Sequence, residues 1–235
     1  MSDARIWQID AVRGLAVIGM IIYHLAFALY FFGGYPVAIF HWSWELFQTL
    51  VAGTFLTLVG VSLWLSWQRL QLKNLRATEL LGHFAKRSLV IFACALLITL
   101  VTWILIPQFY VRFGVLHFIA VASLLALPFL RIPKVAAVVG LLVLLIPEIL
   151  PLPMGNIFTL WIGFKPANFS SLDYFPMLPW FGLVLIGIWV GSILRLPEMP
   201  NRWPWLCHIG RKALLIYLLH QPVVIALVYL LKQLR

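Results

Sequence analysis

The stretch Phe40-His41-Trp42-Ser43-Trp44-Glu45 sets an imidazole and a carboxylate four residues apart at the mouth of an apolar run. On a helix, positions i and i+4 share a face. Glu45 could therefore accept a hydrogen bond from one ring nitrogen of His41 and leave the other for acid–base or nucleophilic chemistry. Tryptophan at the end of an apolar segment sits at headgroup level, which sets His41 near a membrane surface. An interfacial aromatic belt around a solvated helix start has the same composition, so the pair alone leaves both readings open.

The chain that must position this pair is 63% hydrophobic and 10% charged, with a mean hydropathy of +1.02. Soluble domains carry about 25% charged residues, so the composition is that of an all-α, polytopic transmembrane helical bundle. A length of 235 residues fits a single domain over 1–235. The net charge of +10 falls in short basic clusters between apolar runs, the pattern of cytoplasmic loops and not of a nucleic-acid surface. Cys94 lies in an apolar run and Cys207 in a basic interval, so no disulfide framework is expected. Asp3, Arg5, Asp10 and Arg13 open the chain, and the long apolar run behind them is unlike a cleaved signal.

The apolar runs predict about seven spans: 11–32, 42–67, 88–105, 113–130, 135–152, 174–194 and 213–231. Gly33-Gly34-Tyr35-Pro36 closes the first as a turn, and Pro107 stops the third. The interval 68–87 holds Arg69, Lys73, Arg76, Lys86 and Arg87. Residues 153–174, with Trp161 and Phe164, read as an interfacial segment. No internal repeat is evident, which weighs against an inverted-repeat transporter. With the N-terminus in the cytoplasm, thirteen Lys and Arg fall inside and four outside (Arg112, Lys165, Lys232 and Arg235), so the C-terminus is expected outside and His41 at the outer face.

Depth then groups the polar residues. Asp10 and Arg13 are three apart and can pair at the inner end of the first span. His24 lies about 16 Å further out. His117 is about one turn into the membrane beyond Arg112, and Asp173 and Tyr174 sit at the mouth of the sixth span. His24, His41, Glu45, Arg112, His117, Asp173 and Tyr174 thus share one level, which suggests a shared cavity. Each also has a plain structural reading. His24 and His117 could be hydrogen-bonded core histidines, Arg112 and Lys165 could meet headgroups, and Asp173 could cap the sixth span. His220-Gln221-Pro222 lies a turn or two into the last span, where proline leaves a carbonyl without its partner. His83 and His208 fall in basic intervals and are expected to be solvated.

Several segments in order carry a family likeness. They are Asp10-Ala11-Val12-Arg13-Gly14, Met20 with His24, Phe40 to Glu45, Gly60-Val61-Ser62-Leu63 and Arg112-Phe113-Gly114-Val115-Leu116-His117. Asp173-Tyr174-Phe175-Pro176, Pro179-Trp180-Phe181-Gly182 and Tyr217-Leu218-Leu219-His220-Gln221-Pro222 follow. Over almost the whole chain they resemble the transmembrane heparan-alpha-glucosaminide N-acetyltransferase-like family and its shorter bacterial relatives.

That resemblance implies a transmembrane acyltransferase in a bacterial inner membrane. It would use cytoplasmic acetyl-CoA as acyl donor and acetylate a sugar or glycolipid on the far side, with a homodimer left open. The family's catalytic histidine matches His41, and the animal enzyme has Asn at the position of His24. This chain is shorter than the animal enzyme and lacks its additional spans and lumenal domain, so heparan itself is not the expected acceptor.

The residue chemistry agrees. His41, with Glu45, could take the proton of an attacking amine or hydroxyl, or carry the acyl group as an acyl-imidazole; the sequence leaves both routes open. His24, His117 or Arg112 could donate to the thioester oxygen. Asp173, Tyr174, Trp180 and His220 complete the expected substrate and thioester contacts. Arg13, Arg69, Lys86 and Arg87 are the candidates for the CoA phosphates. The competing reading is a small permease or a lipid-, quinone- or haem-binding membrane protein, with His24 and His117 as haem ligands. A proton-coupled carrier would place acids near mid-membrane, whereas Asp10, Glu45, Glu148 and Asp173 lie near span ends. No metal site is expected.

Overall fold

The computed structural model describes residues 6–73, 75–196 and 199–234. Asp3, Arg5 and Arg235, which enter the charge reading above, lie outside the described residues. The described residues form α1 (Trp7–Phe31), α2 (Trp42–Gln71), α3 (Ala77–Leu105), α4 (Val115–Leu125), a 3-10 turn (Leu127–Arg131), α5 (Pro133–Ile149), α6 (Met177–Ile193), α7 (Pro204–Arg211) and α8 (Ala213–Gln233). The all-α class is as expected.

The count of about seven spans is not. Among the described residues, four helices are long and apolar enough to cross a membrane: α1 with 25 residues, α2 with 30, α3 with 29 and α8 with 21. Helix α4 has 11 residues, and α5 and α6 have 17 each. Seventeen residues rise about 26 Å, short of a hydrocarbon core of about 30 Å. An even number of membrane-length helices also removes the ground for placing the C-terminus on the face opposite the N-terminus.

Local chemistry explains the shortfall. The run 113–130 is apolar throughout, yet Phe113 is extended and bridges in parallel to Tyr174, while Pro128 sits in the first turn of the 3-10 segment. In 174–194 the first residues are drawn into loop pairing: the Phe175 N–H donates to the Phe113 carbonyl at 3.0 Å and the Met177 N–H to that of Trp161 at 2.8 Å. Hydropathy registers apolar residues, not whether their backbone is helical. The interval 195–212 conversely hides α7, which starts with Pro204 in its first turn. Cys207 is therefore a buried helical residue, its thiol donating to the Trp7 carbonyl at 3.3 Å.

The chain divides into two compact units, Met1–Phe55 with Arg195–Arg235, and Leu56–Leu194. Lipid tails are as apolar as leucine, so helices in a bilayer associate by close packing, which favours small residues at their contacts. In the first unit Gly14 of α1 lies against the Leu206 carbonyl of α7, and Gly210 of α7 against that of Asp10. Further along α1, Ala28 packs with Val224 and Val228 of α8. Gly34, with φ of 69°, turns the chain after α1 toward His41. In the second unit Gly60 of α2 meets the Val184 carbonyl of α6, and Gly140 of α5 meets that of Gly182 of α6. Leu56, Phe84, Phe118, Leu185 and Ile188 fill its core.

Candidate functional site

His41 immediately precedes α2, and its side chain is exposed. The expected bond to Glu45 is absent: Nδ1 of His41 lies 2.9 Å from Ser43 Oγ, with the Ser43 N–H at 3.4 Å. The physical reason is the helix start. His41 lies outside the regular turn and its carbonyl accepts the Trp44 and Glu45 N–H groups at 2.9 and 3.4 Å, so the ring bends toward the nearest hydroxyl. Glu45 is exposed in the first turn of α2. Ser43 was not expected as a partner, although a hydroxyl two residues past a histidine at a helix start is a legible signal.

Two open cavities flank the stretch. One of about 600 Å³ is lined by Tyr30, Phe31, Gly34, Tyr35, Pro36 and Phe40. The other, about 330 Å³, is lined by Ile22, Ser43, Trp44 and Phe47, so the partner of His41 borders a groove with aromatic walls.

Deeper in the same unit, His24 of α1 and His220 of α8 meet edge to face with ring centroids 4.8 Å apart. Nδ1 of His24 is 2.8 Å from the Met20 carbonyl, and Nδ1 of His220 is 2.7 Å from that of Tyr217. A carbonyl only accepts, so both Nδ1 atoms carry hydrogen and each neutral ring keeps its lone pair on Nε2. His24 in that form accepts a hydrogen bond at Nε2; donating to a thioester oxygen, as expected above, requires its protonated form. Nε2 of His220 is buried without a hydrogen-bond partner. Tyr23 continues the ring chain, 5.7 Å from His24 and 6.3 Å from Trp44 at the start of α2.

The second unit gathers Arg112, His117, Asp173, Tyr174 and Trp180 around a clasp of two loops. The Leu172 N–H donates to the Phe109 carbonyl at 2.9 Å, and Ser171 Oγ to that of Tyr110 at 3.1 Å. Asp173 Oδ2 accepts the Val115 N–H at 3.0 Å, so it caps α4 and not the sixth apolar run. Arg112 donates to the Ser170 carbonyl at 3.1 Å and lies over the rings of Tyr110 and Phe169, 4.5 and 5.4 Å from their centroids. Tyr174 donates to the Leu160 carbonyl at 2.8 Å, and burial pushes its hydroxyl up to about 12. Trp180 of α6 is half-buried against Phe175, with ring centroids 5.1 Å apart.

His117 is a fully engaged core residue. Its Nδ1 accepts the Gly114 N–H at 3.3 Å, which puts hydrogen on Nε2, and Nε2 lies 3.3 Å from Thr99 Oγ1. Thr99 in turn donates to the Val111 carbonyl at 2.7 Å. With both nitrogens occupied, His117 has no lone pair to offer a haem iron, and the haem reading loses one of its two ligands. Thr99 inside the third apolar run was the overlooked signal, since a hydroxyl there needs a partner.

The basic residues divide between the units. Arg13 is bonded to Asp10 at 2.9 Å, the pairing that their spacing predicts, and that carboxylate competes with any phosphate for it. Arg69 at the end of α2 and Lys86 and Arg87 in the early turns of α3 are exposed. Among the described residues, no group of three or more His, Cys, Asp or Glu could hold a metal ion.

A family model described as heparan-alpha-glucosaminide N-acetyltransferase, catalytic, matches residues 5–222. No curated protein and no solved structure matches the chain.

Proposed function

The chain belongs to the heparan-alpha-glucosaminide N-acetyltransferase catalytic family of acetyl-CoA-dependent membrane acyltransferases, and from that premise we propose that it carries an acetyl group from cytoplasmic acetyl-CoA to a sugar or glycolipid at the outer face of a bacterial inner membrane. His41 is the base or the acyl carrier.

The carrying observation is the state of His41. Its ring is exposed, one nitrogen is anchored by Ser43, and among the described residues no group bonds to the other. The Ser43 N–H donates to Nδ1, which holds the hydrogen of the neutral ring on Nε2; in the other tautomer Nδ1–H turns to Ser43 Oγ and the lone pair stands on Nε2. That atom can take the proton of an attacking hydroxyl or amine, or attack the thioester carbonyl and hold the acetyl group until the acceptor arrives. Helix α1 has 25 residues and rises about 37 Å, with the Asp10–Arg13 pair near one end and the turn to His41 beyond the other. A donor nucleotide on the first side and an acceptor on the second would therefore face opposite ends of this helix. Arg69, Lys86 and Arg87 suit the CoA phosphates, and Arg112, Asp173, Tyr174 and Trp180 suit substrate.

Purified protein in nanodiscs with isotopically labelled acetyl-CoA tests this reading. Binding and slow acetyl-CoA hydrolysis are expected, and mass spectrometry of quenched samples separates an acetylated His41 from direct transfer. Wild-type protein that neither binds nor consumes acetyl-CoA would defeat the proposal.

A further inference from the structure

We propose that His24 and His220 form a two-histidine proton store for direct transfer: Nε2 of His24 receives the proton that His41 takes from the acceptor, Nε2 of His220 shares it, and the pair returns it to the departing CoA thiolate. The inference rests on the acyltransferase reading above and assigns a role that His41 leaves open.

Both Nδ1–H groups are spent on carbonyl oxygens of their own helices, at 2.8 and 2.7 Å. Two neutral rings in this state present two acceptors and no donor, with centroids 4.8 Å apart. Nε2 of His220 has no hydrogen-bond partner, and the residue is 6% exposed, so water does not readily satisfy it. A buried acceptor left without a donor carries its desolvation penalty uncompensated. One added proton supplies a donor for both rings as an N–H···N bond. The rings meet edge to face with no bond between them as the structure stands, and their 4.8 Å separation leaves that bond to form on protonation. A metal would need more: among the described residues, no third His, Cys, Asp or Glu joins the pair.

The surroundings fit a single shared charge. Tyr23 on α1 and Tyr217 on α8 face the rings at 5.7 and 5.5 Å. From α2 come Trp44, 6.3 Å from Tyr23, and the exposed Glu45 in the same first turn. The charged residues of α7, His208 and Arg211, belong to the other end of α1, where Gly210 touches Asp10. Among the described residues, neither imidazole contacts a carboxylate, Lys or Arg.

The step balances. In direct transfer the acceptor O–H or N–H bond breaks as its O–C or N–C bond to the acetyl carbon forms; the C–S bond breaks, and the stored proton converts the thiolate to CoA thiol. His220 acts through His24 and is a positioning residue.

The test compares wild type with His220→Gln and His220→Ala in nanodiscs. Gln fills similar space and can still hydrogen-bond but does not titrate, so kcat is expected to fall about 100-fold with KM for acetyl-CoA little changed. The pH–rate profile should lose one ionisation, and added imidazole should restore part of the His220→Ala activity. Independently of turnover, ¹⁵N-histidine NMR of wild type should show one proton coupled to Nε2 of both rings, absent in His24→Asn. An unchanged kcat and profile in His220→Gln, or two uncoupled Nε2 atoms across the active pH range, overturns the pair. If His41→Ala is inactive while His220→Gln is fully active, only this inference falls. If wild type does not use acetyl-CoA, the acyltransferase reading falls with it.

Discussion

Asp173 Oδ2 accepts the Val115 N–H at 3.0 Å across 58 residues of sequence, so the first turn of α4 is capped by the loop that leads into α6. Helix starts leave N–H groups without partners, and a negative group there also meets the positive end of the helix dipole. Asp173→Ala should therefore lower the stability of the folded protein by about 1 kcal/mol, and Asp173→Asn by less, read as a shift in thermal unfolding in detergent.

His117 uses both ring nitrogens inside the protein, toward Gly114 and Thr99. Truncating it to Ala should cost about 1–3 kcal/mol by stranding a buried donor and acceptor. Acetyl-CoA turnover measured below the unfolding transition should stay close to wild type. A large loss of kcat in protein that remains folded would give this residue a role in chemistry.

The Tyr174 hydroxyl is pushed up to about 12 by burial, above its ordinary value of 10. A group whose folded value is raised favours the folded state while it is protonated. That contribution is whole below about pH 10 and fades as pH rises through about 12. Unfolding followed across this window should show wild type losing stability more steeply than Tyr174→Phe, which lacks the ionisation.

Residue 37 follows the far end of α1, and α7 packs against Asp10 and Gly14 near its beginning. In protein with Cys94 and Cys207 replaced by Ser, a Cys at Val37 and a Cys at His208 should react with an impermeant thiol reagent from opposite faces. The direction of transfer proposed here puts position 37 outside. Labelling of both positions from one face would reject α1 as a membrane crossing.

Much of this was legible in the sequence, and the failures have common causes. Apolar composition marks α1, α2, α3 and α8 because a long unbroken run in lipid must be helical. It fails at 113–130 and 174–194, where Phe113 and Phe175 pair as extended backbone and Pro128 tightens the chain. It fails oppositely at α7, whose basic ends disguise a helix that buries Leu206 and Cys207. Among candidate site residues, the Asp10–Arg13 pair follows from spacing along one helix. The His41–Glu45 bond does not form, because helical spacing applies only inside the helix and His41 precedes it. The meeting of His24 with His220 joins residues 196 positions apart and follows from the packing of α1 on α8.

In the proposed function His41 serves transfer from acetyl-CoA to a sugar-bearing acceptor across the membrane. Oriented vesicles containing the protein, with labelled acetyl-CoA supplied only on the cytoplasmic side and glycolipid in the bilayer, test it most directly. Transfer through His41 gives label in the glycolipid with wild type and a loss of at least about 100-fold with His41→Ala. Equal labelling by the two proteins, or none by wild type with acetyl-CoA bound, would contradict it.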